Sequence, residues 1–256
     1  MDYAKCPESI SVSTCKMKII AIPFAGGDRN AFRAFSKYIP TGIEWITLEL
    51  PGRGRRFANP LVKNIHAATN DLFAQIKPHI SKEPYMIYGH SMGTLLGYEL
   101  TKRIREEQLN MPVCLYFTGR GAPGAKEVEI RSSLPPEQFW DRVRKMGGLP
   151  EEILAHNELL ELYYPILSSD FKIIEDYVYT PLEEPLSIPI FVTMGTNEIG
   201  DDPDKTTKEQ AQKWQEETSK LFTYNELPGD HFFILKHPEL LMGKVTRTFM
   251  NVLRAH

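Results

Sequence analysis

The chain has 256 residues, of which 42% are hydrophobic and 25% are charged, a composition typical of globular proteins. Its formal net charge of −3 does not favour a nucleic-acid partner, because such proteins usually carry a clustered basic face. The apolar stretch near the N-terminus is too short and too interrupted for a signal peptide or a membrane span. Cys6, Cys15 and Cys114 show neither a metal-binding spacing nor a disulfide framework. We therefore expect a cytoplasmic protein with a single domain over residues 1–256 and no membrane partner.

Short apolar segments alternate with longer helical patterns along the chain. The predicted strands are rich in β-branched and aromatic residues, are bounded by Gly or Pro, and cover residues 18–24, 44–50, 85–90, 113–119, 189–195 and 221–227. The helical patterns cover residues 66–80, 93–107, 208–220 and 238–254. This alternation predicts an α/β fold with a mostly parallel central sheet flanked by helices.

Residues 134–179 interrupt this alternation, because they contain helical patterns and no convincing strand. The segment is predicted to be a helical insertion between two strands. Insertions at the end of a sheet commonly act as lids over an active site, and extra packing of the core is an equally weighted alternative.

The sequence Gly89-His90-Ser91-Met92-Gly93 lies between a predicted strand and a predicted helix. A G-x-S-x-G pattern in this setting is typical of the nucleophile elbow of the α/β-hydrolase fold. Glycine at both ends lets the turn close and expose the Ser91 hydroxyl, and His90 is interpreted as a support of the turn. The Met92 backbone N–H would lie at a helix N-terminus, where it can stabilise an oxyanion. Ser91 is therefore the predicted nucleophile.

A serine hydroxyl is a poor nucleophile and needs an adjacent base. His231 follows the last predicted strand and precedes the last helix, which suits the final member of a Ser–acid–His triad. Phe232 and Phe233 are expected to pack this loop and hold the imidazole. His231 is therefore the predicted base.

The triad acid is expected in the loop after the strand 189–195, which offers Glu198, Asp201, Asp202 and Asp204. We favour Glu198 because it lies three residues past Gly195, close to the end of the strand. Asp202, which lies further out on the loop, is the second candidate. Asp201 and Asp204 are further alternatives.

The first predicted strand runs into a glycine-rich turn, Phe24-Ala25-Gly26-Gly27. Such a turn can present a backbone N–H to an oxyanion, and Ala25 is the candidate donor that would partner Met92. A phosphate-binding loop is excluded, because no G-x-x-x-x-G-K-[ST] pattern is present. The nearby cluster of Arg53, Arg55 and Arg56 is interpreted as a solvated loop.

Seven motifs carry a family likeness. They are P-F-A-G-G (23–27), E-L-P-G-R-G (49–54), G-H-S-M-G (89–93), T-G-R-G-A-P (118–123), M-G-G-L-P (146–150), Y-P-I-L-S-S-D-F (164–171) and P-G-D-H-F-F (228–233). Taken together over residues 18–253, they make the chain resemble the type II thioesterases that accompany nonribosomal peptide and polyketide synthetases. This family usually has aspartate as the triad acid, and the matching position here is Glu198.

The resemblance implies hydrolysis of misprimed or stalled acyl groups from the phosphopantetheine arm of an acyl- or peptidyl-carrier protein. It implies no metal and no organic cofactor, and it makes the segment 134–179 the lid that meets the arm. We expect a stand-alone, monomeric protein. A general carboxylesterase and a medium-chain fatty acyl-carrier thioesterase are alternative functions, because they share the elbow chemistry.

Overall fold

The computed structural model describes residues 17–80, 83–125, 130–147, 149, 151–202 and 205–255. In this part of the chain, six strands form one sheet: β1 to β6 cover Met17–Ile22, Ile43–Thr47, Tyr85–His90, Cys114–Thr118, Ile190–Gly195 and Phe222–Leu227. Each overlaps its predicted segment. The order across the sheet is β2-β1-β3-β4-β5-β6, and all neighbouring strands are parallel. The predicted parallel α/β architecture is confirmed.

Helices cover both faces of this sheet. Within the described residues, helices α1 to α8 cover Ile65–Ile76, Met92–Glu106, Pro136–Met146, Glu151–Leu154, Asn157–Glu175, Lys208–Gln212, Phe233–Lys236 and Pro238–Ala255. Successive residues of β1 point to opposite faces: Ile20 packs in the core layer that contains α1 and α2, and Ile19 packs in the layer that contains α8. Burial on both faces explains why the inner strands β3, β4 and β5 are buried along their whole length and show no apolar–polar alternation.

Two of the predicted helices are shorter than expected. The pattern over 66–80 forms α1 only as far as Ile76, and a 3-10 turn, Lys77–His79, follows. Pro78 explains this end, because proline has no N–H to donate and its ring clashes with the preceding turn. The pattern over 208–220 forms α6 and then a 3-10 turn, Lys213–Glu217, which buries Trp214 against the core.

The segment 134–179 forms α3, α4 and α5, and its described part contains no strand. The α5 side chains of Leu167, Phe171 and Ile174 are buried in the same core layer as α1 and α2. The packing alternative therefore applies to α5, which is a structural part of the core. Opening of the segment as a lid stays a prediction.

The parallel sheet brings the loops after β1, β3, β5 and β6 to a single edge. In parallel sheets this carboxyl edge is where ligands usually bind. Cys114, the cysteine within the described residues, is buried and free, as expected for a core residue; Cys6 and Cys15 lie outside those residues. In the part of the chain that the structure describes, no helix combines the length and the apolar character needed to cross a membrane.

Candidate active site

The turn between β3 and α2 holds Ser91 in an unusual backbone conformation. Its φ of 54° is positive, and residues other than glycine rarely adopt positive φ values. The glycines on either side are required by close approach: a Cβ on Gly89 would lie 2.4 Å from the Gly93 oxygen, and a Cβ on Gly93 would lie 2.0 Å from the Ile22 oxygen. The predicted elbow geometry is therefore present.

His231 lies in the loop between β6 and α7, and its Nε2 is 2.9 Å from Ser91 Oγ. The ring packs edge-on against Phe232, with centroids 5.1 Å apart, and Phe232 packs edge-on against Phe24 at the same centroid distance. Phe233, the next residue, is fully buried. The two phenylalanines thus pack the loop as expected from the sequence, and the imidazole is held within hydrogen-bonding distance of the serine.

Of the acids after β5, the structure brings Glu198 to the histidine. Its Oε2 is 2.8 Å from His231 Nδ1, and its Oε1 accepts a hydrogen bond of 2.6 Å from the Gly195 N–H. Asp201 and Asp202 are exposed, and Asp202 pairs with Lys205 at 2.8 Å. Asp204 lies outside the described residues. A carboxylate on Nδ1 selects the tautomer whose Nε2 can accept a proton from serine.

The glycine-rich turn after β1 lies beside Ser91. The Gly27 N–H donates to the Phe24 oxygen at 2.9 Å, and the Gly26 N–H donates to Asp170 Oδ2 at 2.7 Å. Because these two N–H groups are engaged, the Ala25 N–H is the candidate oxyanion donor of the turn. Met92 begins α2, so its N–H is at the N-terminal end of the helix dipole.

His90 is fully buried beneath the site. Its Nδ1 is 3.0 Å from Thr118 Oγ1, and its ring centroid is 5.0 Å from that of His231. Burial, together with the neighbouring His231, lowers the pKa of His90 well below its ordinary value of 6.5. The His90 ring is therefore neutral at pH 7 and supports the elbow by packing.

Two cavities meet at Ser91 and His231. One has a volume of about 260 Å³ and is mostly apolar, with Val143, Leu167 and Phe171 in its wall. The other has a volume of about 310 Å³, and half of its described lining residues are charged. Met146 borders both cavities, so residues from the segment 134–179 form part of each wall.

Two residues near the site were not recognised from the sequence. Asp170 is fully buried on α5, and Arg53 is only 3% exposed and forms a two-pronged ion pair with it. The interpretation of the arginine cluster as solvated is wrong for Arg53, because its buried partner lies 117 positions away in the chain. The signal in the sequence was the presence of both residues in family-like motifs.

Comparison with known proteins agrees with the geometry. A family model described as a thioesterase domain matches residues 17–249. This chain belongs to the thioesterase family. The thioesterase is 34% identical to the gramicidin S biosynthesis protein GrsT of Aneurinibacillus migulanus, over 87% of this chain and 84% of GrsT.

Two solved structures extend the similarity. ClbQ, from the colibactin NRPS/PKS pathway, matches with a TM-score of 0.86 and 27% identity over 94% of the thioesterase and 100% of ClbQ. The type II thioesterase BorB, from the borrelidin biosynthetic cluster, matches with a TM-score of 0.80 and 26% identity over 91% of the thioesterase and 92% of BorB. The family predicted from the motifs is confirmed, and with it the α/β-hydrolase fold and thioester hydrolysis as the activity.

Proposed function

We propose that this thioesterase removes misprimed or stalled acyl groups from the phosphopantetheine arm of carrier proteins in nonribosomal peptide or polyketide synthesis, with Ser91, His231 and Glu198 as its catalytic triad. The observation that carries the proposal is the hydrogen-bonded chain from Ser91 Oγ through both nitrogens of His231 to Glu198, with links of 2.9 and 2.8 Å. The relatives from biosynthetic pathways support the substrate class.

The reaction proceeds through a covalent acyl-enzyme. His231 Nε2 takes the proton of Ser91 as the serine oxygen attacks the thioester carbon. The N–H groups of Ala25 and Met92 stabilise the resulting oxyanion. The carbon–sulfur bond then breaks, and the pantetheine sulfur leaves with the proton from His231.

Deacylation repeats the same steps with water as the nucleophile. His231 takes a proton from the water that attacks the ester carbon, then returns it to Ser91 as the carboxylic acid leaves. Glu198 accepts a hydrogen bond from His231 Nδ1 and stabilises the protonated imidazole. The proposed mechanism uses only side chains and backbone N–H groups of this chain, together with one water molecule.

The two cavities suit different parts of the substrate. The apolar cavity suits the acyl group, because its wall can bury hydrocarbon. The charged cavity suits the phosphate end of the arm, because cationic side chains can pair with a phosphate. Among the described residues, its lining carries five cationic side chains and three carboxylates: Arg120, Arg131, Arg142, Lys145 and Lys205, and Glu175, Glu198 and Asp230.

The decisive experiment measures release of acetyl from an acetyl-loaded carrier protein by mass spectrometry. A matched acetyl ester and Ser91→Ala are assayed in parallel. We expect the wild type to cleave the carrier-bound thioester much faster than the ester, and Ser91→Ala to lose turnover by several orders of magnitude. Preference for the ester would replace the proposal with a general esterase, and near-normal turnover of Ser91→Ala would remove Ser91 as the nucleophile.

The monomeric state and the cytoplasmic location stay predictions. Sedimentation of the purified protein over a range of concentrations tests the first. Fractionation of the producing cells tests the second. A concentration-dependent increase in mass would contradict the monomer, and recovery outside the cytoplasm would contradict the location.

A further inference from the structure

The Asp170 carboxylate is shared between a backbone turn and a guanidinium group. Its Oδ2 accepts a hydrogen bond of 2.7 Å from the Gly26 N–H, and its Oδ1 accepts one of 2.8 Å from Arg53 Nη2. Arg53 Nη1 makes a second contact, with Oδ2. This two-pronged geometry fixes the carboxylate in one orientation, and therefore fixes the position of the Gly26 N–H that binds it.

Stability alone does not account for this pair. Asp170 is 0% exposed and Arg53 is 3% exposed. Burying two charges costs desolvation energy that their attraction often fails to recover, and apolar residues of similar size are frequently as stabilising. An apolar pair, however, has no acceptor for the Gly26 N–H.

The turn that Asp170 binds is the one that carries the candidate oxyanion donor. Gly26 has a φ of 78°, and the Gly27 N–H closes the turn onto the Phe24 oxygen at 2.9 Å. The Ala25 N–H belongs to the same four-residue turn. A displacement of the Gly26 N–H therefore shifts the direction in which the Ala25 N–H points, and catalysis is sensitive to errors of about 1 Å.

Helix α5 contacts the turn at a second point. Leu167 lies one helical turn before Asp170, and a Cβ on Gly26 would come within 2.7 Å of Leu167 Cδ2. Residues three apart share one face of a helix, so α5 presents an apolar contact and a charged acceptor to the same turn. The helix thus supports the turn from one side.

The loop that carries Arg53 is also anchored. The buried carboxylate of Glu49 accepts hydrogen bonds from the backbone N–H groups of Arg29 at 2.9 Å and Arg55 at 3.1 Å. Gly54 has a φ of 49°, and a Cβ there would lie 2.0 Å from Glu49 Oε1, so a side chain at this position would displace the Glu49 carboxylate. The loop is therefore held to the segment that follows the oxyanion turn.

We propose that Asp170, oriented by Arg53, is a positioning residue that fixes the direction of the Ala25 N–H in the oxyanion hole. The inference rests on the proposed function only in assigning the oxyanion to the Ala25 N–H. Asp170 touches neither the substrate nor Ser91, and it acts through Gly26. Its loss therefore lowers stabilisation of the tetrahedral intermediate while leaving binding of the ground-state substrate in place.

The test compares Asp170→Asn, Arg53→Lys and the apolar double variant Asp170→Leu/Arg53→Met with the wild type. For the folded variants we expect kcat to fall by about a hundredfold and KM to change little. Affinity for a boronic acid, which forms a tetrahedral adduct with the serine, should fall by the same factor as kcat. The double variant should keep this defect even where its melting temperature equals that of the wild type.

Asp71→Asn is the matched control. Asp71 forms a two-pronged pair with Arg56, at 2.5 and 2.6 Å, and its described hydrogen bonds go to Arg56 and Gln75, not to the oxyanion turn. This variant should keep the kcat and the boronic acid affinity of the wild type. If the Asp170 variants fold and keep wild-type kcat, or if none of the three folds, the pair is structural and the proposal is wrong.

The assay uses both an acetyl-carrier thioester and a p-nitrophenyl ester. The oxyanion hole serves both reactions, so the positioning effect is measured on whichever substrate the wild type cleaves. A wild type that hydrolyses the ester and ignores the carrier would remove the proposed editing function. The test of Asp170 would still give its answer on the ester.

Discussion

His231 Nδ1 lies 2.8 Å from Glu198 Oε2, across 33 positions of sequence. The second oxygen of Glu198 is held by the Gly195 N–H at 2.6 Å, at the end of β5. The carboxylate is thus anchored to the sheet and directed at the imidazole. A short turn directly after the strand, closed by the Glu198 N–H on the Gly195 oxygen at 3.2 Å, places the side chain for this contact.

Replacing Glu198 by Gln should lower kcat by about 10³-fold to 10⁴-fold, because the imidazole loses its ionised partner and its fixed tautomer. Asp202→Asn is the control, since Asp202 is exposed and pairs with Lys205. Steady-state hydrolysis of an acetyl-carrier thioester measures both. A large loss of kcat in Asp202→Asn, with a small loss in Glu198→Gln, would make Asp202 the triad acid instead of Glu198.

Gly93→Ala should destabilise the fold by about 1–3 kcal/mol, because its Cβ would overlap the Ile22 backbone oxygen, which has little room to move. Gly243→Ala is the matched substitution in α8, where a Cβ meets nothing within 4 Å. There we expect a gain of about 1 kcal/mol from helix propensity. Urea unfolding measures both variants, and equal effects would show that the elbow tolerates a side chain.

The buried, neutral His90 should make stability depend on pH. Its pKa is lowered in the folded chain by burial and by His231, so below about pH 6.5 the unfolded chain binds more protons than the folded chain. The free energy of unfolding should therefore fall on acidification below pH 6.5, by up to about 1.4 kcal/mol per pH unit.

His90→Leu tests this origin, because leucine cannot be protonated. The free energy of unfolding is measured in urea between pH 7.5 and pH 5, a range of about 2.5 units that spans the His titration. Its decrease with falling pH should be smaller for this variant than for the wild type. His66→Gln removes an exposed imidazole and is the control. Identical slopes for the wild type and His90→Leu would assign the acid sensitivity to other groups.

Lys145 offers a test of the route proposed for the carrier protein. It is exposed on α3 and lines the charged cavity. Lys145→Ala should raise KM for a loaded carrier protein by about twofold to fivefold at low salt, because one exposed charge contributes up to about 1 kcal/mol. The kcat should not change, and high salt should remove the difference.

Lys37→Ala serves as the comparison, since Lys37 is exposed and is not among the described lining residues of either cavity. An equal rise in KM for both variants would indicate a general effect of net charge. A KM for Lys145→Ala equal to that of the wild type would place the carrier elsewhere.

The sequence by itself determined the features that depend on local pattern. Apolar runs bounded by turn residues located all six strands, and the elbow around Ser91 followed from two glycines between a strand and a helix. The position of His231 after the last strand also followed, because the triad of this fold has the chain order Ser, acid, His. These inferences needed only local pattern and the order of the elements along the chain.

Only the tertiary structure decided between groups whose surroundings come from distant segments. Four acids share one loop, and the choice of Glu198 depends on how that loop turns after Gly195. The sequence predicts Arg53 to be a surface charge, but in the structure it pairs with Asp170 of α5, which lies 117 positions away in the chain. The physical reason is the same in both cases: the burial and pairing of a charge depend on long-range packing, which local sequence does not encode.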